Sequence, residues 1–109
     1  MRLSPRERKL CTMYKAQLRK QLGERLQAYR LFGSWARGEA TEESDVDLLV
    51  VVDALTREEK NQLLDAAYDL SVQAERILSP LIVERKWYRL LQRRERLLAK
   101  EIARDGIDL

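Results

Sequence analysis

Apolar side chains recur every three or four positions in three stretches of the chain, which is the spacing of one face of a helix. The first stretch opens with a capping box at residues 4–7, has proline at its first helical position and ends before Gly23, so we expect a helix from Pro5 to Leu22. A second capping box, at residues 56–59, predicts a helix from about Arg57 to Ala74.

The third stretch predicts a final helix from Lys86 to Arg104, closed by Gly106. Its apolar positions are Trp87, Leu90, Leu91, Leu97, Leu98 and Ile102. A basic run accompanies them, namely Arg85, Lys86, Arg89, Arg93, Arg94 and Arg96. Nucleic-acid binding through this run is a weak hypothesis, because Trp87 and Tyr88 fall at core spacing and Glu84, Glu95 and Glu101 interrupt the charge. We expect Trp87 in the core or in a partner interface.

Three shorter apolar segments predict strands. Leu26 to Phe32 is the first, and the nearly continuous run from Val46 to Val52 is typical of a central strand covered on both faces. Ile77 to Val83 is the third, and Pro80 places it at a sheet edge or next to a bulge, because proline lacks a donor for the ladder. We therefore expect an α/β (α+β) fold with a small, mixed, three-stranded sheet flanked by helices.

Length and composition narrow the function. A chain of 109 residues fits one domain, residues 1–109, without a second domain to select a substrate, so an acceptor should come from outside. The longest apolar run, Leu48 to Val52, covers 5 residues, and the N-terminus lacks the apolar core of a signal peptide, so we expect a cytoplasmic protein and no membrane span. One cysteine and no histidine exclude an internal disulfide, imidazole bases and His-containing zinc sites.

Acidic side chains are concentrated in the middle of the chain. Residues 39–69 carry 2 basic and 10 acidic groups, whereas residues 1–38 and 70–109 have net charges of +8 and +3. Acid beside a strand is what a divalent-cation site needs. The basic flanks could meet a nucleotide, a nucleic acid or an acidic partner, and solvated helix surface explains them at least as well.

Two carboxylates stand at the start of the central strand. Alternate residues of a strand point the same way, so Asp45 and Asp47 lie on one face a few ångströms apart. Hard oxygen ligands select Mg²⁺ or Mn²⁺, and magnesium completes a small carboxylate set with water and phosphate oxygens. The pair therefore predicts a magnesium site that takes a nucleoside triphosphate.

The segment between the first two strands supplies candidates for phosphate binding. Gly33 lets the backbone approach a phosphate, and Ser34 could cap a short helix whose first N–H groups face an anion. Arg37 is a candidate to neutralise phosphate charge, although a surface ion pair with Glu39 or Glu42 is an equal alternative. Ser44 is a further candidate for nucleotide binding, and it could also cap or orient the loop before the carboxylates.

Gly33-Ser34, a gap of ten residues and Asp45-x-Asp47 together resemble the signature of the nucleotidyltransferase superfamily that includes DNA polymerase beta. The whole chain is similar to the minimal nucleotidyltransferases. The resemblance implies the nucleotidyltransferase fold, catalytic Asp45 and Asp47 holding one or two Mg²⁺ ions, and ATP as the AMP donor. It also implies a partner. Chains of this family are commonly paired with a HEPN protein, a ribonuclease toxin, and act as its antitoxin by transferring AMP to a tyrosine of the toxin.

One departure from that family supports a second hypothesis. A third carboxylate usually stands on a later strand, whereas this chain has Ser79-Pro80 mid-strand, flanked by Glu75 and Glu84. A tyrosine phenol is more acidic than a sugar hydroxyl, so AMP transfer could survive this loss. The alternative is a catalytically weak or inactive antitoxin that neutralises its partner by direct contact. Exposed apolar surface on the first or last helix could dock that partner or pair copies of the chain.

Overall fold

The computed structural model describes residues 3–41, 43–93 and 97–109. Its helices are α1 (Pro5–Leu22), α2 (Gly33–Arg37), α3 (Arg57–Ala74), α4 (Arg85–Arg93) and α5 (Leu97–Asp105), and a 3₁₀ turn at Gly23–Arg25 follows α1. Its strands are β1 (Leu26–Phe32), β2 (Val46–Val52), β3 (Leu78–Glu84) and β4 (Ile107–Asp108). The predicted bounds of α1, β1, β2 and α3 are confirmed, and β3 begins and ends one residue later than expected. None of the described helices has the length and apolarity that a membrane span requires.

The four strands form one mixed sheet in the order β3-β2-β1-β4. β1 is antiparallel to β2 and to β4, whereas β2 and β3 run parallel. The mixed sheet and the edge position of the Pro80 strand are confirmed, but the expected number of three strands is wrong. β4 pairs only Ile107 and Asp108 with Leu31 and Arg30, and two residues are too few to show a strand pattern in the sequence.

Alternate residues of β2 build two separate cores. Leu48 and Val50 face α1 and α3, where the Tyr14 hydroxyl donates a hydrogen bond of 2.8 Å to the Leu63 carbonyl and so ties the two helices together. Leu49 and Val51 face the other way and pack against Ile102 of α5. Both faces of β2 are therefore covered, as its continuous apolar sequence predicts.

The last helical stretch forms two helices instead of the single helix expected. Tyr88 of α4 and Ile102 of α5 both pack against Leu49 and Val51, whereas in one straight helix they would be about 21 Å apart. Gly106 ends α5 as predicted, and its N–H donates to the Ile102 carbonyl at 2.8 Å. Outside the described residues lie Arg94, Glu95 and Arg96, and also the side chains of Leu91, Leu97, Leu98 and Glu101.

Trp87 does not lie in the core, because 52% of its surface is exposed. The core half of the expectation for this residue is therefore wrong. Its ring lies near the Lys86 ammonium, 5.8 Å from the ring centroid. A role in a partner interface stays a prediction.

The two predicted capping boxes have different outcomes. At α1 the Ser4 side chain makes no capping bond to the backbone, and the prediction is wrong because Glu7 turns inward. The Glu7 carboxylate accepts a hydrogen bond from the Ser4 hydroxyl, lies 3.3 Å from Nε of Arg76 and is 2% exposed, so it joins α1 to the turn before β3. At α3 both bonds of the box form between Thr56 and Glu59, at 3.0 and 3.1 Å.

Glu59 has a second partner, because Arg25 binds both of its carboxylate oxygens at 3.1 and 2.5 Å. These hydrogen bonds, with that from the Thr56 backbone, lower the pKa of Glu59 from 4.5 to about 2. A lowered folded-state pKa contributes stability that is present above the unfolded-state value and is lost as pH falls towards the folded-state value. The window for Glu59 therefore extends from about pH 4.5 down to about pH 2.

Glu59→Gln removes the charge and keeps a side chain that can complete the capping box. We expect the variant to have a lower urea midpoint than the wild type near pH 7, and the difference to shrink steadily below about pH 4.5, as measured by circular dichroism. Glu58→Gln controls for the loss of one negative charge in the same helical turn. A Glu59→Gln difference of equal size near pH 7 and near pH 3 would contradict the prediction.

Candidate functional site

The two aspartates lie at the end of the sheet where β2 begins. Asp45 immediately precedes β2 and is exposed, whereas Asp47 is the second residue of the strand and is half-buried. Burial raises the pKa of Asp47, the negative charge of Asp45 raises it further, and the positive charge of Arg37 opposes both. The structure thus brings Asp45, Asp47 and Arg37 together, and a cation between the two carboxylates would relieve their repulsion.

Gly33 lies directly against the Asp47 side chain. The register of β1 and β2 pairs Phe32 with Asp47, so the next residue, Gly33, turns the chain beside the carboxylate with a φ of +71°. A Cβ atom at Gly33 would lie 2.2 Å from Oδ2 of Asp47. Both the backbone conformation and the contact therefore require glycine, which adds a packing reason to the phosphate-approach role predicted from the sequence.

Ser34 is the second residue of α2 and not its N-cap. The residue before the helix is Phe32, and no side chain caps the helix, because the helical turn already begins at Gly33. Ser34 therefore lies in the first turn of α2, where backbone N–H groups have no partner within the helix. It directly follows Gly33, the residue that lies against the Asp47 carboxylate.

Ser44 holds the loop that leads into Asp45. Its hydroxyl accepts from the Thr41 N–H at 3.0 Å, and its own N–H donates to the Thr41 carbonyl at 3.0 Å. The Ser44 carbonyl accepts from the indole N–H of the buried Trp35 at 3.3 Å, which ties α2 to this loop. These contacts agree with the loop-support interpretation of Ser44. Sequence reasoning missed Trp35, whose role depends on a carbonyl nine residues away.

Arg37 has several acidic neighbours. Its Nε lies 3.1 Å from Oε2 of Glu39, so the surface ion pair that the sequence offered as an alternative is formed. Glu42, the other acidic residue named for this pair, lies outside the described residues. The charge of Arg37 still reaches the site, since it opposes the raised pKa of Asp47. The hydrogen bonds from Arg104 are the main cause that holds the pKa of Asp105 below its usual value, and the charge of Arg37 lowers it further. Asp105 was missed because no motif marks it.

Ser79 occupies the place next to Asp47 on β3. The parallel register pairs Asp47 with Ser79, and Ser79 is exposed. Glu84 pairs with Val52, five residues from Asp47 and therefore about 17 Å away along the strand, so it does not reach the site. Glu75 follows α3 as its C-cap residue and is exposed. Among the described residues no group of three or more His, Cys, Asp or Glu could hold a metal ion.

The residues of this site that could coordinate a metal ion are therefore the two carboxylates Asp45 and Asp47. Two hard oxygen donors, one of them exposed, suit Mg²⁺, which keeps several waters and takes phosphate oxygens of a substrate as further ligands. Burial first and the negative charge of Asp45 second raise the pKa of Asp47, and a bound cation would favour its charged form.

Comparison with known proteins defines the class. The family model for the nucleotidyltransferase domain matches residues 15–104, and the chain belongs to this family. A Methanocaldococcus jannaschii protein named "Putative protein adenylyltransferase" is 38% identical over 65 residues, which are 59% of this chain and 66% of that protein. The match thus spans just under two thirds of the relative.

Solved structures agree on the fold. A structure described as a "putative minimal nucleotidyltransferase" is 28% identical, has a TM-score of 0.57 and matches 94% of this chain and 91% of its own. A toxin-antitoxin structure with AMP-PNP is 22% identical, has a TM-score of 0.55 and matches 88% of this chain and 69% of its own. The mixed sheet with flanking helices is therefore the nucleotidyltransferase fold.

The contact between Gly33 and Asp47 can be tested against a matched glycine. Gly33→Ala and Gly23→Ala both place a side chain at a positive φ, so Gly23→Ala should lose about 1–2 kcal/mol in urea unfolding and Gly33→Ala at least as much. Space around Gly23 is open, whereas at Gly33 the new methyl group displaces the Asp47 carboxylate. We expect only Gly33→Ala to weaken Mn²⁺ binding, measured by electron paramagnetic resonance. Equal Mn²⁺ affinity in the two variants would refute the role of this contact.

Proposed function

We propose that this chain is a Mg²⁺-dependent nucleotidyltransferase that moves AMP from ATP to a protein hydroxyl, a tyrosine of a partner HEPN ribonuclease toxin, and thereby acts as a cytoplasmic antitoxin. The observation that carries the proposal is the placement of Gly33 against Asp47, with Asp45 and Arg37 beside them. Support comes from the family, from the adenylyltransferase name of the M. jannaschii relative and from the toxin-antitoxin structure with AMP-PNP.

Each site residue has a part in this proposal. Asp45 and Asp47 would hold Mg²⁺, which when bound neutralises charge on the phosphates. Gly33 leaves room for the Asp47 carboxylate and lets the backbone approach the phosphates, Ser34 offers a hydroxyl and an N–H group, and Arg37 adds positive charge. Ser44 orients the loop before Asp45, and as the residue next to Asp45 it would contact the nucleotide.

The transfer itself is a substitution at the α-phosphorus of ATP. The tyrosine oxygen forms a bond to this phosphorus, and the bond to the bridging oxygen of the departing pyrophosphate breaks. The residue beside Asp47 on β3 is Ser79, which cannot accept the phenol proton as a carboxylate base would. The proton therefore passes to water. Orientation of the two reactants by the site then supplies most of the rate.

The direct test follows label from α-labelled ATP with Mg²⁺ onto the co-expressed HEPN protein. The wild type should label a tyrosine of the partner, and the Asp45→Asn, Asp47→Asn double variant should lose the label while retaining the complex. A Glu24→Gln, Glu58→Gln double variant removes the same charge from exposed positions away from the site and should keep full labelling. If the wild type forms a tight complex with the HEPN protein but transfers no label to it, the proposal of an enzymatic function is refuted.

The pairing of Ser79 with Asp47 favours a second candidate, an inactive antitoxin that acts by contact. The two functions separate in a toxin-protection assay, in which growth is followed while the HEPN protein is expressed. An enzyme loses protection on Asp47→Asn, whereas a contact antitoxin keeps it. The same variant therefore decides between the candidates without purified protein.

Ser79→Asp should strengthen the metal site. Paired strands lie about 4.8 Å apart, so an aspartate at this position can join Asp47 around one cation. We expect Mg²⁺ affinity to rise on the order of tenfold, which corresponds to about 1.4 kcal/mol, in isothermal titration calorimetry. Ser79→Asn has the same shape without the charge and serves as the control. Equal affinity in the two variants would contradict the assigned position of residue 79.

A further inference from the structure

Helix α4 carries a row of exposed cations, which we call the positive stripe. Lys86, Arg89 and Arg93 follow one another at spacings of three and four residues, so they lie along one side of the helix, and all three are exposed. Among the described residues no carboxylate pairs with any of the three, whereas Arg85 on the same helix lies 3.2 Å from Asp53. The stripe therefore offers positive charge that the fold itself does not use.

Trp87 stands beside this stripe. It is 52% exposed, and the Lys86 ammonium lies 5.8 Å from the centroid of its ring. Among the α4 side chains that the structure describes, Trp87 is the only exposed apolar one. A protein partner favours a wider apolar patch, whereas a single aromatic ring among cations suits a nucleic-acid base, which stacks on the ring while the cations bind phosphate.

An open cleft extends this surface from Trp87 to the start of α3. Arg57 and Lys60 line it together with Trp87, and Glu84 is the acidic side chain among its lining residues. Its volume of about 240 Å³ is below the range of about 300–1,000 Å³ that is typical of pockets for whole small molecules. The cleft therefore suits one nucleotide of an extended strand better than a free ligand.

The structure also weakens the reasons against nucleic-acid binding that the sequence suggested. Trp87 was expected in the core or in a partner interface, and its exposure rules out the core. Glu84 precedes α4, and the helix itself has no acidic residue from Arg85 to Arg93. The charge of α4 is therefore positive along its whole length.

We propose that the positive stripe and Trp87 bind a single-stranded nucleic acid through its phosphates and a stacked base, without a fixed sequence. The stripe is about 10 Å long at 1.5 Å per residue, which matches about three stacked nucleotides at about 3.4 Å each. α4 begins directly after Glu84, at the end of the sheet opposite the carboxylates. This binding is therefore independent of the proposed transfer of AMP.

The test measures binding of short fluorescent oligouridylate and oligothymidylate strands to the full chain by anisotropy, over a series of salt concentrations. A triple variant, Lys86→Gln with Arg89→Gln and Arg93→Gln, removes the stripe. We expect it to bind at least about tenfold more weakly at low salt. The slope of log affinity against log salt should become shallower by about 2, since each phosphate contact with a single strand contributes about 0.7.

The matched control removes the same charge from the opposite face of the sheet. Arg8→Gln with Arg19→Gln and Lys20→Gln alters three exposed cations of α1 and should keep the wild-type salt slope. Trp87→Ala tests the stacked base separately. We expect it to weaken binding about five- to a hundredfold and to leave the salt slope unchanged, because it removes no charge.

Several outcomes would overturn the inference. One is failure of the wild type to bind either strand at low salt, and binding of polyglutamate in its place would identify an acidic protein as the partner. Another is an equal loss of affinity in the stripe variant and the α1 control. Tighter binding of a duplex of the same length, with no effect of Trp87→Ala, would contradict recognition by stacking.

Circular dichroism of each variant shows whether it is folded. Should the stripe variant not fold, Trp87→Ala alone decides, because unchanged affinity in that variant refutes the proposal.

Discussion

The candidate site depends on the register of β1 against β2. Pairing of Phe32 with Asp47 brings the turn at Gly33 onto the carboxylate, at a separation that leaves no space for a side chain. A shift of one residue would turn Asp47 towards the helices α1 and α3 and bury its charge in the larger core. The apolar residues that follow it on β2, Leu48 to Val52, are packed on both faces and so fix this register.

Much of this arrangement could be predicted from the sequence, because local signals determine it. The helical spacing of α1 and α3 and the continuous apolar run of β2 gave correct bounds. The alternation of strand residues placed Asp45 and Asp47 together, and the lack of an N–H group on Pro80 placed β3 at the sheet edge. Each of these inferences used side chains within a few positions of one another.

The features that were missed depend on contacts between distant parts of the chain. Glu7 has the sequence position of a capping residue, yet an ion pair with Arg76, 69 residues away, gives it a lower energy in the interior. The split of the last helix follows from two separate apolar contacts with Leu49 and Val51. Asp105 approaches Arg37 only because α5 folds back over the sheet. Periodicity carries no information about such pairings.

The parallel pairing of β2 and β3 explains which residues of β3 lie beside the carboxylates. Parallel strands begin at the same edge, so Ile77, just before β3, and Ser79, its second residue, lie beside the segment with which β2 begins. The direction of this edge strand thus places Ser79 beside Asp47 and Glu84 at the far end of the sheet.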